Sequence, residues 1–181
     1  MGIDPSINST GICIYNGKKY IYYNIVGSMT KKMAAFTHKN LNIISYEKLK
    51  DKKTEYFEKE QQKSINIFNI CKIIEGLIKK YKPTCIAMEG VSYGSVGSAA
   101  LVDLSGLNFA IRMMIMKYNI NMIIIPPTSV KKAAVANGQA DKQIMVDAWK
   151  RLDKNIADIT EIKIDDLADS YFILQCANNG V

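Results

Sequence analysis

Histidine is almost missing from this chain: His38 is the only one, and it lies in a polar stretch where a surface position, not a catalytic or ligand role, is expected. Arginine is nearly as scarce, with Arg112 and Arg151 alone among 24 basic residues. The four cysteines, Cys13, Cys71, Cys85 and Cys176, stand singly inside apolar segments. No pair has metal-ligand or redox spacing, so they read as reduced core residues of an intracellular protein. No apolar run is long enough to span a membrane, and the start has no signal-peptide layout. A cytoplasmic location follows as the expectation, in a bacterium or in the host cell of a phage or virus, with no membrane partner.

What is present is lysine, isoleucine and a few well-placed acids. A chain of 181 residues, 48% hydrophobic, can bury a substantial core and suggests a single domain over 1–181. The formal charge of +7 favours a polyanionic partner without proving one. Lysine and isoleucine enrichment can also reflect an AT-rich genome, so the charge weighs less than the acids.

The chain opens as an antiparallel meander. Ile3-Asp4 ends a very short first strand, Gly11 to Tyr15 forms a second, and Tyr20 to Val26 a third, with Asn16-Gly17 as a hairpin turn. Residues 28–62 are dense in Lys and Glu with only a short apolar patch around Leu41 to Ile44. A solvated excursion, an insertion into the domain, is the default reading of such a charge run. Apolar residues then recur at helical spacing from Ile67 to Tyr81, closed by Lys82-Pro83. Cys85 to Met88 is a buried strand, Leu101 to Tyr118 a helix, and Met122 to Ile125 another buried strand stopped by Pro126-Pro127. A short helix over Ser129 to Ala136 follows. Asp141 N-caps a helix through Trp149, and a last helix runs from Asp165 to about Ala177.

Several acids stand where an apolar element meets a loop. Asp4 follows the first strand, and a turn-forming Asp before Pro is the bland alternative. A phosphate loop of the actin-like sugar-kinase kind also opens this way, but those proteins need two such domains and a second phosphate loop, which this chain does not show. Glu89 ends the fourth strand. If that strand lies parallel to the first, Asp4 and Glu89 emerge at the same sheet edge. Asp166 and Asp169 are three apart and share one face of the last helix, whereas Asp165 does not. Helix capping and dipole compensation explain one or two of these aspartates but not a third on the turn next to the core. Carboxylates gathered at strand tips are the donor set of a divalent-metal phosphodiester site.

Five motifs occur in order: Gly2-Ile3-Asp4-Pro5-Ser6 with Ser9-Thr10-Gly11, Ala87-Met88-Glu89-Gly90-Val91, Pro127 to Lys132, Gly138 to Lys142, and Asp166-Leu167-Ala168-Asp169. In these the chain resembles the RuvC-type Holliday-junction resolvases of the ribonuclease-H-like nuclease superfamily. The resemblance implies an α/β fold: a ribonuclease-H-like mixed five-stranded sheet, three antiparallel strands then parallel ones, flanked by helices. It implies that Asp4, Glu89, Asp166 and Asp169 bind two Mg²⁺ or Mn²⁺ ions, and that Lys142 and Lys131 lie near the scissile phosphate. Lys131, Lys132, Lys142 and Tyr93 are then the DNA-binding set. The expected function is a homodimeric, metal-dependent endodeoxyribonuclease that cuts two opposed strands of a four-way junction. A nuclease of the same fold acting on flaps, forks or RNA–DNA hybrids is the nearest alternative. A non-catalytic junction-binding protein would be expected to have lost an acid, and all four are present.

The chain departs from compact bacterial members in three places. The stretch before the first long helix is longer, the first strand is short, and Ser92 stands where an aromatic residue is usual, with Tyr93 next. These departures mark a divergent branch, phage or viral in type.

Overall fold

Alternation along the strands sorts the side chains into two cores, one on each face of a single sheet. In a computed structural model, which describes residues 1–47, 55–91, 98–135, 138, 140–159, 162 and 164–180, six strands lie in the order β4-β3-β2-β1-β5-β6. They are β1 (Gly2–Asp4), β2 (Ser9–Tyr15), β3 (Tyr20–Val26), β4 (Leu41–Ser45), β5 (Cys85–Glu89) and β6 (Asn121–Ile125). The helices are α1 (Lys31–Ala35), α2 (Tyr56–Tyr81), α3 (Ser98–Lys117), α4 (Pro127–Val135), α5 (Lys142–Leu152) and α6 (Asp165–Asn178). The first three strands pair antiparallel, while β5 joins β1, β6 joins β5 and β4 joins β3 in parallel.

The fold class is the one expected, with one strand more than the five anticipated. The sixth, β4, comes from the stretch read as a solvated excursion. Leu41 is buried, but Ile43 and Ile44 are only half-buried and Asn42 and Ser45 are exposed, as an edge strand permits. Tyr46 just beyond it is buried and donates its hydroxyl to the Ile7 carbonyl at 2.5 Å. The first long helix also starts earlier than its apolar periodicity, at Tyr56, with the Glu55 N–H bonded to the Glu58 carboxylate at 3.2 Å. It ends as expected: Lys82 adopts a left-handed conformation at φ 47° ahead of Pro83.

Successive strand residues point to opposite faces. Ile3, Ile12, Ile14, Ile86 and Met88 point to one face and pack under α2 and α3 with Ile70, Ile74, Leu107 and Ile111. Cys13, Tyr22, Ala87 and Ile125 point to the other and pack under α4, α5 and α6 with Trp149, Leu167 and Phe172. Asp4 and Glu89 share the parity of Gly2 and Ala87, so both side chains belong to the α6 face.

The last helix was expected to bury the face of Leu167, Ala168, Tyr171 and Leu174. It buries those and Ser170, Phe172, Ile173 and Cys176 as well. It lies against β1, β2 and β5 on one side and against α4 and α5 on another. Close approach is possible because two strand residues are glycines. A Cβ on Gly2 would stand 2.2 Å from the Ser170 carbonyl oxygen, and one on Gly11 would stand 2.0 Å from that of Asp166. The helix backbone therefore rests directly on the sheet. No helix among the described residues is long and apolar enough to cross a membrane.

Candidate active site

The parallel pairing of β1 with β5 sets Ile3 opposite Met88, so the next residues, Asp4 and Glu89, leave the sheet side by side. Asp4 also faces Gly11 across the β1–β2 pair, and Gly11 is where the Asp166 backbone touches down. One helical turn on, Asp169 lies on the same face of α6 as Asp166. Two strand ends and one helix N-terminus thus deliver the four acids to one place.

Their electrostatics record the proximity. Asp4 is only 9% exposed. Burial holds its carboxyl well above the usual carboxylate range, and Glu89, Asp169 and Asp166 raise it further against the pull of Lys142. Glu89 is pushed up to about 7, by burial first and then by Asp169, with Lys131 and Lys142 opposing. Asp169 is raised to about 6 by burial and then by Asp166, with Lys142 the leading opposing charge. Desolvation and like charge act in the same direction on all three.

Lys142, the first residue of α5, donates to Asp165 Oδ2 at 2.6 Å. Its side chain is 66% exposed while that of Asp165 is 7% exposed. Asp165 is thus a buried tether for the lysine. The N-cap expected at Asp141 is present, its carboxylate accepting from the Ile144 N–H at 2.9 Å. Lys131, on α4, acts on both Glu89 and Asp169. Lys132 is exposed and is not among the charges that act on Asp4, Glu89 or Asp169. Tyr93 lies outside the described residues, as does Ser92.

Two contributors were not singled out from sequence. Asp165 was noted only as off the face of its neighbours, and its ion pair spans 23 residues of sequence. Asn108, in the apolar run of α3, is 1% exposed and donates Nδ2 to the Glu89 carbonyl at 2.9 Å. A polar amide inside Leu107-Asn108-Phe109-Ala110-Ile111 was the available signal.

An all-carboxylate set suits a hard divalent cation. No group of three or more candidate ligands among the described residues is arranged to hold a metal ion as it stands. The raised proton affinities come from burial first and from uncompensated repulsion second, and a cation would relieve the repulsion.

The sequence model of the family described as crossover junction endodeoxyribonuclease RuvC matches residues 1–174. The chain belongs to this family. RuvC of Orientia tsutsugamushi (strain Ikeda) is 29% identical over 175 residues, covering 94% of this chain and 91% of that protein. Thermus thermophilus RuvC, solved in complex with a Holliday junction substrate, superposes with a TM-score of 0.60 at 15% identity, covering 95% of this chain and 87% of the other. The yeast mitochondrial Holliday junction resolvase Ydc2 superposes with a TM-score of 0.52 at 17% identity, over 95% and 74% of the two chains. Family membership carries a general dependence on divalent metal.

The repulsion has a sign that can be checked in the metal-free protein. Glu89 and Asp169 bind protons more tightly folded than unfolded, so the native state takes up protons first as pH falls. Stability of the metal-free protein is therefore expected to rise as pH is lowered from about 7 toward the ordinary carboxylate range near 4. By the same argument Asp166→Asn, which removes a charge acting on both Asp4 and Asp169, should leave the metal-free melting temperature unchanged or higher. It should also diminish the stabilisation that Mg²⁺ gives. A clear drop in metal-free melting temperature would contradict this.

Proposed function

We propose that this RuvC-family chain resolves four-way DNA junctions by paired, symmetric incision as a homodimer, with two Mg²⁺ or Mn²⁺ ions at each site. The observation that carries the reading is the convergence of Asp4, Glu89, Asp166 and Asp169 at one sheet end in a chain matched to the family over residues 1–174. These four carboxylates would hold the metal, which supplies Lewis acidity toward the phosphate and a water of lowered pKa. Lys142, tethered by Asp165, and Lys131 place positive charge beside the carboxylates, where the phosphate's added negative charge develops.

A four-way junction has near two-fold symmetry, and a two-fold dimer offers it two identical sites. One chain has one set of these acids, so paired incision needs two chains. The surfaces favoured for the dimer are α2 and α3. Val102, Phe109, Met113 and Met116 leave an apolar stripe along α3 at 66%, 54%, 72% and 68% exposure, and Phe68 on the neighbouring α2 is 64% exposed. They are among the well-exposed large apolar side chains of the described residues, and those on α3 share one face.

The deciding experiment compares cleavage of a synthetic four-way junction, a replication fork and a linear duplex with Mg²⁺ or Mn²⁺. Preferential, symmetric cutting of the junction is expected. Equal cutting of the fork would make this a broader branched-DNA nuclease, and no cutting with retained binding would make it a junction-binding protein.

Pairing of lysine with phosphate should dominate affinity. The logarithm of the junction association constant should fall steeply with the logarithm of salt. Lys131→Ala or Lys132→Ala should flatten that slope by roughly one unit for each phosphate no longer neutralised. A salt-independent dissociation constant would refute the assignment.

A further inference from the structure

We propose that Asn108 is a positioning residue for Glu89, standing in for a hydrogen-bond donor that Pro5 cannot supply. The inference rests on the proposed nuclease reading and concerns how the strand-end glutamate is held. In the parallel β1–β5 pair the Ala87 N–H donates to the Met1 carbonyl at 2.8 Å. That bond sets the phase of the ladder, because in a parallel pair every second residue bonds to the neighbouring strand in both directions. The next such residue on β5 is Glu89. Its carbonyl falls where it would accept from residue 5, and residue 5 is proline, which has no N–H. A strand-end carbonyl is thereby left without its ladder donor, directly beneath the side chain that the site uses.

The Asn108 Nδ2 fills that place from the helix side, 2.9 Å from the Glu89 oxygen. On the other flank the Gly90 N–H bonds the Ile125 carbonyl at 2.9 Å, tying the same strand end to β6. Glu89 is thus pinned on the β6 side by backbone and on the β1 side by a side chain. The asparagine is not there for packing. It is 1% exposed, and its Oδ1 is buried with no hydrogen-bond partner among the described residues. A leucine of nearly the same shape would fill the space without burying an unpaired acceptor, which costs stability. The buried oxygen is the cost of having the donor.

The test is Asn108→Leu, read by single-turnover junction cleavage, by the junction dissociation constant, and by the Mg²⁺ concentration that half-saturates the rise in melting temperature. Cleavage is expected to slow by about 10–100-fold at fixed metal, with half-saturation moving to higher metal and junction affinity within about twofold, the pattern of a missing supporting hydrogen bond. Pro5→Ala in the Asn108→Leu background restores an N–H at the vacant ladder position and should recover much of the lost rate. A role in packing alone would not be rescued this way. Wild-type cleavage by Asn108→Leu, or a double variant no faster than Asn108→Leu, overturns the proposal. Should the leucine variant not fold, Asn108→Ser, too short to reach the carbonyl, is read in the same three ways. The metal titration of melting uses no DNA, so it tests Asn108 even if the wild-type protein cuts no junction, an outcome that would sink the nuclease reading instead.

Discussion

Asp4→Asn is expected to lower junction cleavage by about 10³-fold or more while leaving junction binding close to wild type. Asp4 is the most enclosed of the four acids, and all three others act on it. Its replacement keeps size and shape and removes one negative charge from a repelling group. The folded protein should not suffer: metal-free melting should hold or rise, so lost activity cannot be blamed on unfolding. The lysines proposed to meet phosphate are untouched, which is why binding should survive. A mixed dimer with one Asp4→Asn subunit extends the test. It should nick a four-way junction in one strand without producing two separated duplexes. Full resolution by that mixture, or by a species shown to be monomeric, would remove the paired-incision reading.

Gly11→Ala is expected to cost both stability and activity, although it adds a single carbon. That carbon would lie 2.0 Å from the Asp166 carbonyl oxygen and 2.5 Å from its carbon. Both obstacles are backbone, so no rotamer change relieves them and α6 must lift off the sheet. Overpacking of this kind costs about 1–3 kcal/mol, or ~2–4 °C of melting temperature per kcal/mol in a chain of this size. The lift carries Asp166 and Asp169 away from Asp4, so cleavage should fall further than stability alone accounts for. Gly76→Ala is the control. Gly76 lies inside α2 with nothing within 4 Å of its added carbon, and that change should be neutral or stabilising by about 0.5–1 kcal/mol. A Gly11→Ala protein that melts and cuts like wild type would show that α6 has slack where it meets β2.

The strand-end acids were legible because a buried strand ending in Glu or Asp is a local pattern, whereas the parallel β1–β5 relation entered only as a condition that the register then met. The pair Asp166 and Asp169 was legible from helical spacing. What escaped depended on register and docking. Strand β4 was missed because an edge strand with one fully buried residue, Leu41, carries little apolar alternation amid lysines. The opening turns of α2 were missed because their large apolar residues, Tyr56 and Phe57, are exposed at 77% and 72% and follow no core-facing period. Gly11 gave no sign of its role, since nothing in its neighbourhood names the helix that lands on it. Asn108 needed the phase of the β1–β5 ladder before Pro5 could be seen as a missing donor. Asp165 drew attention only as a neighbour of Asp166, because its partner Lys142 lies on another helix.

The proposed carboxylate set is split between strands β1 and β5 and helix α6. Asp4 and Glu89 fall in the first half of the sequence, and Asp166 and Asp169 come on the last helix described. A ribosome-bound fragment ending before residue 165 would carry the sheet, the lysines of α4 and α5 and two of the four acids. It could meet DNA but would lack half the donors proposed for metal. Docking of α6 onto Gly2 and Gly11 then serves as an arming step. Metal-dependent cutting is therefore expected only once α6 has seated.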